Sequence, residues 1–370
     1  MRKTILSIIL ILALPSAIMA GNRAASLKDV LGKYFLIGAA VNVPQTDGRD
    51  VKGAEVVKDN FNAIVAENCM KSEVLQPVEG KFNWEDADKL IKFGEENNLT
   101  ITGHCLVWHS QAPRWFFVDS LGKPVSREVL IERLHKHIST VVSRYKGKIL
   151  GWDVVNEAIN DDGTYRKSPF YNIIGPEFID LAFKFAHEAD PNAQLYYNDY
   201  SMAKPGKRAA VCKLVRHLQS IGCRIDAVGM QSHNGLDFPD LKDYEASIDS
   251  FAACGVKVMF TELDLNLLPN PQYFGGADVS QNFRYDKKYN PYPNGLDKAM
   301  NRKFEDRYME FFKIYRKHAS QISRITLWGV SDKSSWLNNW PIPGRSSYPL
   351  LFDRDYKAKP VVKKIINLFK

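Results

Sequence analysis

The sequence has no Cys-x-x-Cys pair, no extended tract of one charge sign, no apolar run long enough to cross a bilayer and no Pro/Gly/Ser-rich linker. The first absence leaves zinc and dithiol redox chemistry without support. The cysteines number only five, so at least one thiol has no partner within the chain; Cys223 and Cys254, each a few residues before an apolar run, form one candidate bridge that spacing does not decide. Lys and Arg total 50 against 42 Asp and Glu, a net charge of +8 spread along the chain. With no basic arm, nucleic acid is not an expected partner, whereas an acidic polysaccharide is compatible. A 45% hydrophobic and 12% aromatic composition over 370 residues excludes disorder and allows a large core without staples.

The first twenty residues run from Arg2-Lys3 through an apolar stretch, Ile5 to Pro15, to Ala17-Ile18-Met19-Ala20. That is the order of a secretory signal peptide, residues 1–20, with cleavage near Ala20. A membrane anchor is the rival reading, but the stretch is short and broken by Pro15. No cysteine follows the cleavage point, as a lipoprotein would require. The expectation is a secreted or periplasmic protein, not attached to a membrane after cleavage, with residues 21–370 as one domain.

Eight short apolar runs look like buried strands: 35–42, 62–68, 100–108, 150–157, 194–200, 227–233, 257–264 and 324–330. Amphipathic stretches lie between them. In residues 128–143 the apolar positions Val129, Leu130, Leu134, Ile138, Val141 and Val142 fall on a helical stripe, and residues 178–188 read as a helix stopped by Asp190-Pro191. Strand and helix alternating eight times give an α/β class and point to a single (β/α)8 TIM barrel, although an open doubly wound sheet would show the same alternation. Polar residues gather at the C-terminal ends of these strands. In a parallel barrel those ends share one face, where the chemistry of such barrels is found.

Two of the strands end in glutamate, Trp152 to Glu157 and Val258 to Glu262. Carboxylates converging over a pocket are the minimum equipment for cleaving a glycosidic bond; two unrelated glutamates at loop starts are the plainer alternative. Asp264 follows Glu262 by two, so strand alternation turns both inward, and His233 ends the preceding strand. An imidazole between two carboxylates can donate to both and keep Glu262 ionised. Asn156 can donate to a sugar hydroxyl beside the scissile bond, though asparagine at a strand end is also common turn chemistry.

Seven segments occur in order: ENCMK at 67–71, GHCLVWHSQAP at 103–113, WDVVNEA at 152–158, YYNDY at 196–200, GMQSH at 229–233, TELD at 261–264 and LWGVSDKSSW at 327–336. On these the chain resembles family 10 glycoside hydrolases, the endo-β-1,4-xylanases, over essentially its whole length after the leader. The resemblance implies hydrolysis of internal β-1,4-xylosidic bonds of xylan with retention of configuration by double displacement. It makes Glu157 the general acid/base and Glu262 the nucleophile, with His233, Asp264 and Asn156 in support. Glu67, Asn68, Lys71, His104, Trp108, Gln231, Trp328 and Trp336 then line the sugar subsites. It implies no cofactor and no metal; the expected partners are xylan and xylo-oligosaccharides, and the expected state is a monomer. Trp84 and Trp115 read as packing material.

The sequence departs from that family at Ser72, where many relatives carry Trp, and at Thr102, where Arg is frequent. Residues 265–296 form a long connection, which either extends the cleft through Tyr273, Phe274, Tyr285 or Tyr289 or packs over its rim. Three other functions compete. A metal hydrolase would use His104 with His109, or His135 with His137, but the first pair has opposite strand parity and the second a two-residue helical spacing that does not converge. A barrel glycosidase acting on glucan or mannan would keep the mechanism and change the pocket wall. A sugar-binding protein without catalysis would keep the aromatics.

Overall fold

A computed structural model of the chain describes residues 24–271 and 277–370. The expected leader at 1–20, and Tyr273 and Phe274 of the long connection, lie outside the described residues. Nine strands are present among them: β1 Leu36–Val41, β2 Ala63–Ala66, β3 Thr100–Trp108, β4 Gly151–Asn156, β5 Gln194–Asp199, β6 Ala227–Met230, β7 His233–Gly235, β8 Lys257–Asn266 and β9 Ile322–Leu327. Every pairing between them is parallel. Pairs run in order from β1 to β6; β6 then pairs with β8, with Ala227 opposite Lys257, β8 with β9, and β9 with β1, with Leu36 opposite Arg324. The ring is therefore closed, which the alternation alone had left undecided. β7 also pairs with β8, so β6 and β7 share one stave and the barrel has eight. The break between them falls at Ser232, whose φ of +65° interrupts the run read as continuous.

The strands are buried on both faces because each is covered inside and out, as parallel strands between helices must be; the polar residues among them, such as Thr102, Asp153, Arg324 and Thr326, are buried too. The main core lies between the barrel and its helices: Leu130, Leu134, Ile138, Val141 and Val142 of the helix Arg127–Arg144 are all buried in it. Each such side chain contributes roughly 1.5–3 kcal/mol of burial. Inside the barrel the packing needs missing side chains as much as present ones. A Cβ on Gly103 would sit 2.0 Å from the Trp152 ring, and one on Gly229 would sit 2.3 Å from Asn198 Oδ1. Among the described residues no helix is long and apolar enough to cross a membrane.

All five thiols are reduced. Cys223 and Cys254, the bridge left open by spacing, face different carbonyls, those of Asp180 and Ser250.

Candidate active site

At the C-terminal ends of the strands a cavity of about 200 Å³ is lined by Glu67, Asn68, Lys71, His104, Trp108, Asn156, Glu157, Gln231, His233, Glu262, Trp328 and Trp336. Those are all the site residues expected from sequence except Asp264, which lies behind His233. Gln111, Ala277 and Val279 complete the wall and were not foreseen. The last two come from the long connection, while Tyr285 stands 45% exposed outside the cavity.

The chain turns sharply as it leaves the strands here. Among the described residues six non-glycines have positive φ, and four of them, Gln111, Glu157, Ser201 and Ser232, lie at this end of the barrel. Glu157 has φ +60°, a conformation costing on the order of 1–3 kcal/mol for a residue with a side chain. It is held there from both sides: its N–H donates to the Asn198 carbonyl at 2.9 Å, and its own carbonyl accepts from Arg166 Nε at 2.9 Å.

Glu157 is 4% exposed. Its Oε2 accepts from the Trp108 indole at 2.8 Å, and its Oε1 accepts from Gln231 Nε2 at 2.9 Å and Asn156 Nδ2 at 3.3 Å. These neutral donors only partly offset the loss of water. Burial first, then the negative charge of Asp199, and last that of Glu262, push the Glu157 carboxyl up to about 7.

Glu262 is equally buried and goes the other way. Burial raises it, but the hydrogen bond from His233 and the positive influence of His104 and His233 outweigh that and hold it below the usual carboxylate range. His233 Nε2 meets Glu262 Oε2 at 3.1 Å, and its Nδ1 meets Asp264 Oδ2 at 3.0 Å. Although burial opposes its charge, Asp264 and Glu262 raise the imidazole to about 10, so it is a cation bridging two carboxylates at neutral pH. Trp336 Nε1 donates to Asp264 Oδ2 at 2.7 Å and anchors the outer end of the triad.

Asn198, in the YYNDY segment at the end of β5, is not among the site residues expected from sequence. Its Nδ2 donates to Glu262 Oε1 at 2.8 Å and to Asn156 Oδ1 at 3.0 Å, and its Oδ1 accepts from Thr261 Oγ1 at 2.6 Å, so one amide ties the two glutamate-bearing strands together. Asn156 spends its carbonyl on Asn198 and Gln231.

On the opposite wall Asn42 Nδ2 donates to Glu67 Oε2 at 2.6 Å, and Asn68 Nδ2 donates to Asn42 Oδ1 at 3.2 Å. Lys71 Nζ donates to Asn68 Oδ1 at 3.1 Å and Gln111 Oε1 at 2.8 Å, and lies 4.9 Å from the centre of the Trp108 ring. Burial raises Glu67 to about 7 against the pull of Lys71. Trp328 rests on Ala40 and Val65, and Trp336 stacks on Trp340 with centroids 4.3 Å apart. His104 Nδ1 pairs with Asp153 Oδ2 at 2.9 Å.

The other histidines diverge. His109 lines a separate small pocket with Phe170 and Phe178, His137 is buried against Gln76 Oε1 at 2.6 Å, and His135 is half exposed beside Glu188. Trp115 donates to the Gln76 carbonyl and Trp84 stacks on Phe82.

A second cavity of about 430 Å³ adjoins the first, sharing His233 and Ala277, with Tyr200, Met202 and Phe238 in its wall.

The sequence profile described as glycosyl hydrolase family 10 matches residues 26–368. Endo-1,4-beta-xylanase A of Xylanibacter ruminicola is 61% identical over 359 residues, 97% of each chain. Among solved structures, a GH10 endoxylanase from a sugarcane soil metagenome superposes with a TM-score of 0.89 at 43% identity, over 93% of this chain and 100% of that one. An intracellular xylanase of Thermoanaerobacterium saccharolyticum, solved as a mutant with xylotetraose, superposes with a TM-score of 0.80 at 35% identity, over 93% and 99%.

Proposed function

The chain belongs to glycosyl hydrolase family 10, and from that premise we propose that it is an endo-1,4-β-xylanase acting with retention of configuration. The observation that carries the reading is the pair of buried glutamates in one cavity, one pushed up to about 7 and the other held below the usual carboxylate range. That is the division of labour double displacement needs.

Glu262, ionised, attacks the anomeric carbon. As the bond to the leaving oxygen breaks, Glu157 gives that oxygen its proton, leaving a covalent glycosyl ester on Glu262 and a Glu157 carboxylate. A water then enters, Glu157 takes its proton, the ester bond breaks and the sugar departs with its original configuration. Glu67, Asn68 and Lys71 offer polar atoms to the glycone hydroxyls, and Trp328 and Trp336 offer apolar faces to its rings. The adjoining cavity, with Tyr200 in its wall, receives the departing part of the chain.

Secretion or periplasmic export, with loss of residues 1–20, extends the proposal and is supported by the order of basic, apolar and small residues there. Time-resolved product analysis on glucuronoxylan, with carboxymethylcellulose and mannan alongside, tests substrate and cutting mode together. Mixed xylo-oligosaccharides appearing early are expected. Release from mannan or carboxymethylcellulose instead of xylan would overturn the substrate, and release of xylose alone would overturn endo cutting.

A further inference from the structure

Beneath the site lies an ion pair that the mechanism above does not use. Asp199, at the end of β5, and Lys207, in the helix Pro205–Ser220, are both completely buried with Nζ 2.7 Å from Oδ1. Lys207 also reaches Asp161 at 3.5 Å. A buried pair of this kind is seldom a net source of stability, because removing two charges from water costs about what their attraction returns.

The second oxygen of Asp199 faces the segment that leaves Glu157. Oδ2 accepts from Tyr197 Oη at 2.6 Å and from the Ile159 N–H at 3.4 Å, while Tyr197 Oη accepts from the Ala158 N–H at 3.1 Å. The two amides after the left-handed Glu157 are thus both held by Asp199, one directly and one through a phenol. The Asp199 carbonyl also accepts from the Gln231 N–H at 3.0 Å, and Gln231 is a donor to the Glu157 carboxyl.

Resting on the reading of Glu157 as the acid/base, we propose that Asp199 is a positioning residue that fixes the backbone turn carrying Glu157 and supplies the standing negative charge that keeps its proton on. The charge of Glu262 disappears when it forms the glycosyl ester, whereas Asp199, whose carboxyl burial raises and the Lys207 ammonium 2.7 Å away pulls back down, is consumed in neither step. Glu157 therefore keeps a high proton affinity when it must act as a base. The groups facing Glu157 are Cys105, Trp108 and His109 from β3 and its end, Tyr197, Asp199 and Tyr200 from β5 and its end, Arg166, Gln231 and Glu262. Only Asp199 and Glu262 among them are anions at neutral pH, and Arg166 is bound to the Glu157 carbonyl and to Tyr200 Oη at 2.6 Å.

Asp199→Asn keeps the shape and removes the charge. Losing a proton then becomes easier for Glu157, and Lys207, left with only Asp161 at 3.5 Å, acts in the same direction. The basic limb of kcat/KM on xylan should move to lower pH by about one unit. At pH 7 kcat/KM should fall by about fivefold on xylan, yet change little on a dinitrophenyl xylobioside, whose leaving group needs no proton. A folded, active variant with an unmoved limb, or with equal losses on both substrates, overturns the proposal. Should Asp199→Asn fail to fold, Tyr197→Phe removes the relay to Ala158 and keeps the charge. It should lower kcat/KM on xylan more than on the aryl substrate with the limb in place, and equal losses would again overturn the proposal. Wild type that releases nothing from xylan would instead overturn the functional reading on which this one rests.

Discussion

β4 runs directly into Glu157, whereas β8 continues past Glu262 to Asn266; the two glutamates are similarly buried, yet they are held in opposite charge states. Around Glu157 the donors are an indole and two amides, the strongest charge influence is the carboxylate of Asp199, and the proton is retained to about 7. Around Glu262 stands an imidazolium, itself raised to about 10 by Asp264 behind it. Desolvation acts on both glutamates with the same sign, so burial cannot explain the difference. The sign of the neighbouring charge does.

The comparison breaks most completely at the β8 end. Glu262→Ala should reduce turnover of xylan by on the order of 10⁵-fold, and azide should restore reaction of an activated aryl xylobioside with inverted configuration at the new bond. A folded variant without rescue would contradict the nucleophile assignment. At the β4 end, Glu157→Ala should cost about 10²–10⁴-fold in kcat/KM on xylan, with far less loss on an activated aryl substrate. Equal losses on the two substrates would remove acid catalysis from Glu157.

His233→Asn sharpens the difference rather than abolishing it. Losing a charged hydrogen-bond donor should cost about 10- to 100-fold and let the Glu262 carboxyl rise, so the acid limb of kcat/KM moves to higher pH while the basic limb stays. Gly229→Ala should cost about tenfold, because the added methyl displaces the amide of Asn198 from Glu262. The smallest effect belongs to the long connection: Tyr285→Ala, outside the cavity, should change kcat/KM on xylan by less than about twofold.

Most of the strand pattern was legible because fully covered parallel strands are written as continuous apolar runs, and all eight were found within a few residues of their ends. The run at 227–233 concealed a break, since a single positive φ at Ser232 leaves no mark in hydrophobicity. Ring closure was not written locally either, as it depends on the first strand, β1, pairing with the last, β9, from the far end of the sequence. In the site, residues inside the seven motifs were legible by their position at strand ends. Asn198 lay in one of those motifs and carried that signal, but its bridging role needs the third dimension. Asp199 was hidden for the same reason: nothing in the sequence joins it to Lys207, eight residues on in the next helix, or to the amides of Ala158 and Ile159. Ala277 and Val279 offered no signal at all, being small apolar residues in a connection whose aromatics drew the eye.

Carbon-13 NMR titration of labelled glutamate carboxyls, with Glu157→Gln and Glu262→Gln to assign the signals, reads the two charge states directly. The account predicts that Glu157 titrates near 7 and Glu262 below the ordinary value of about 4.3. Two carboxyls titrating together within the ordinary range would contradict it.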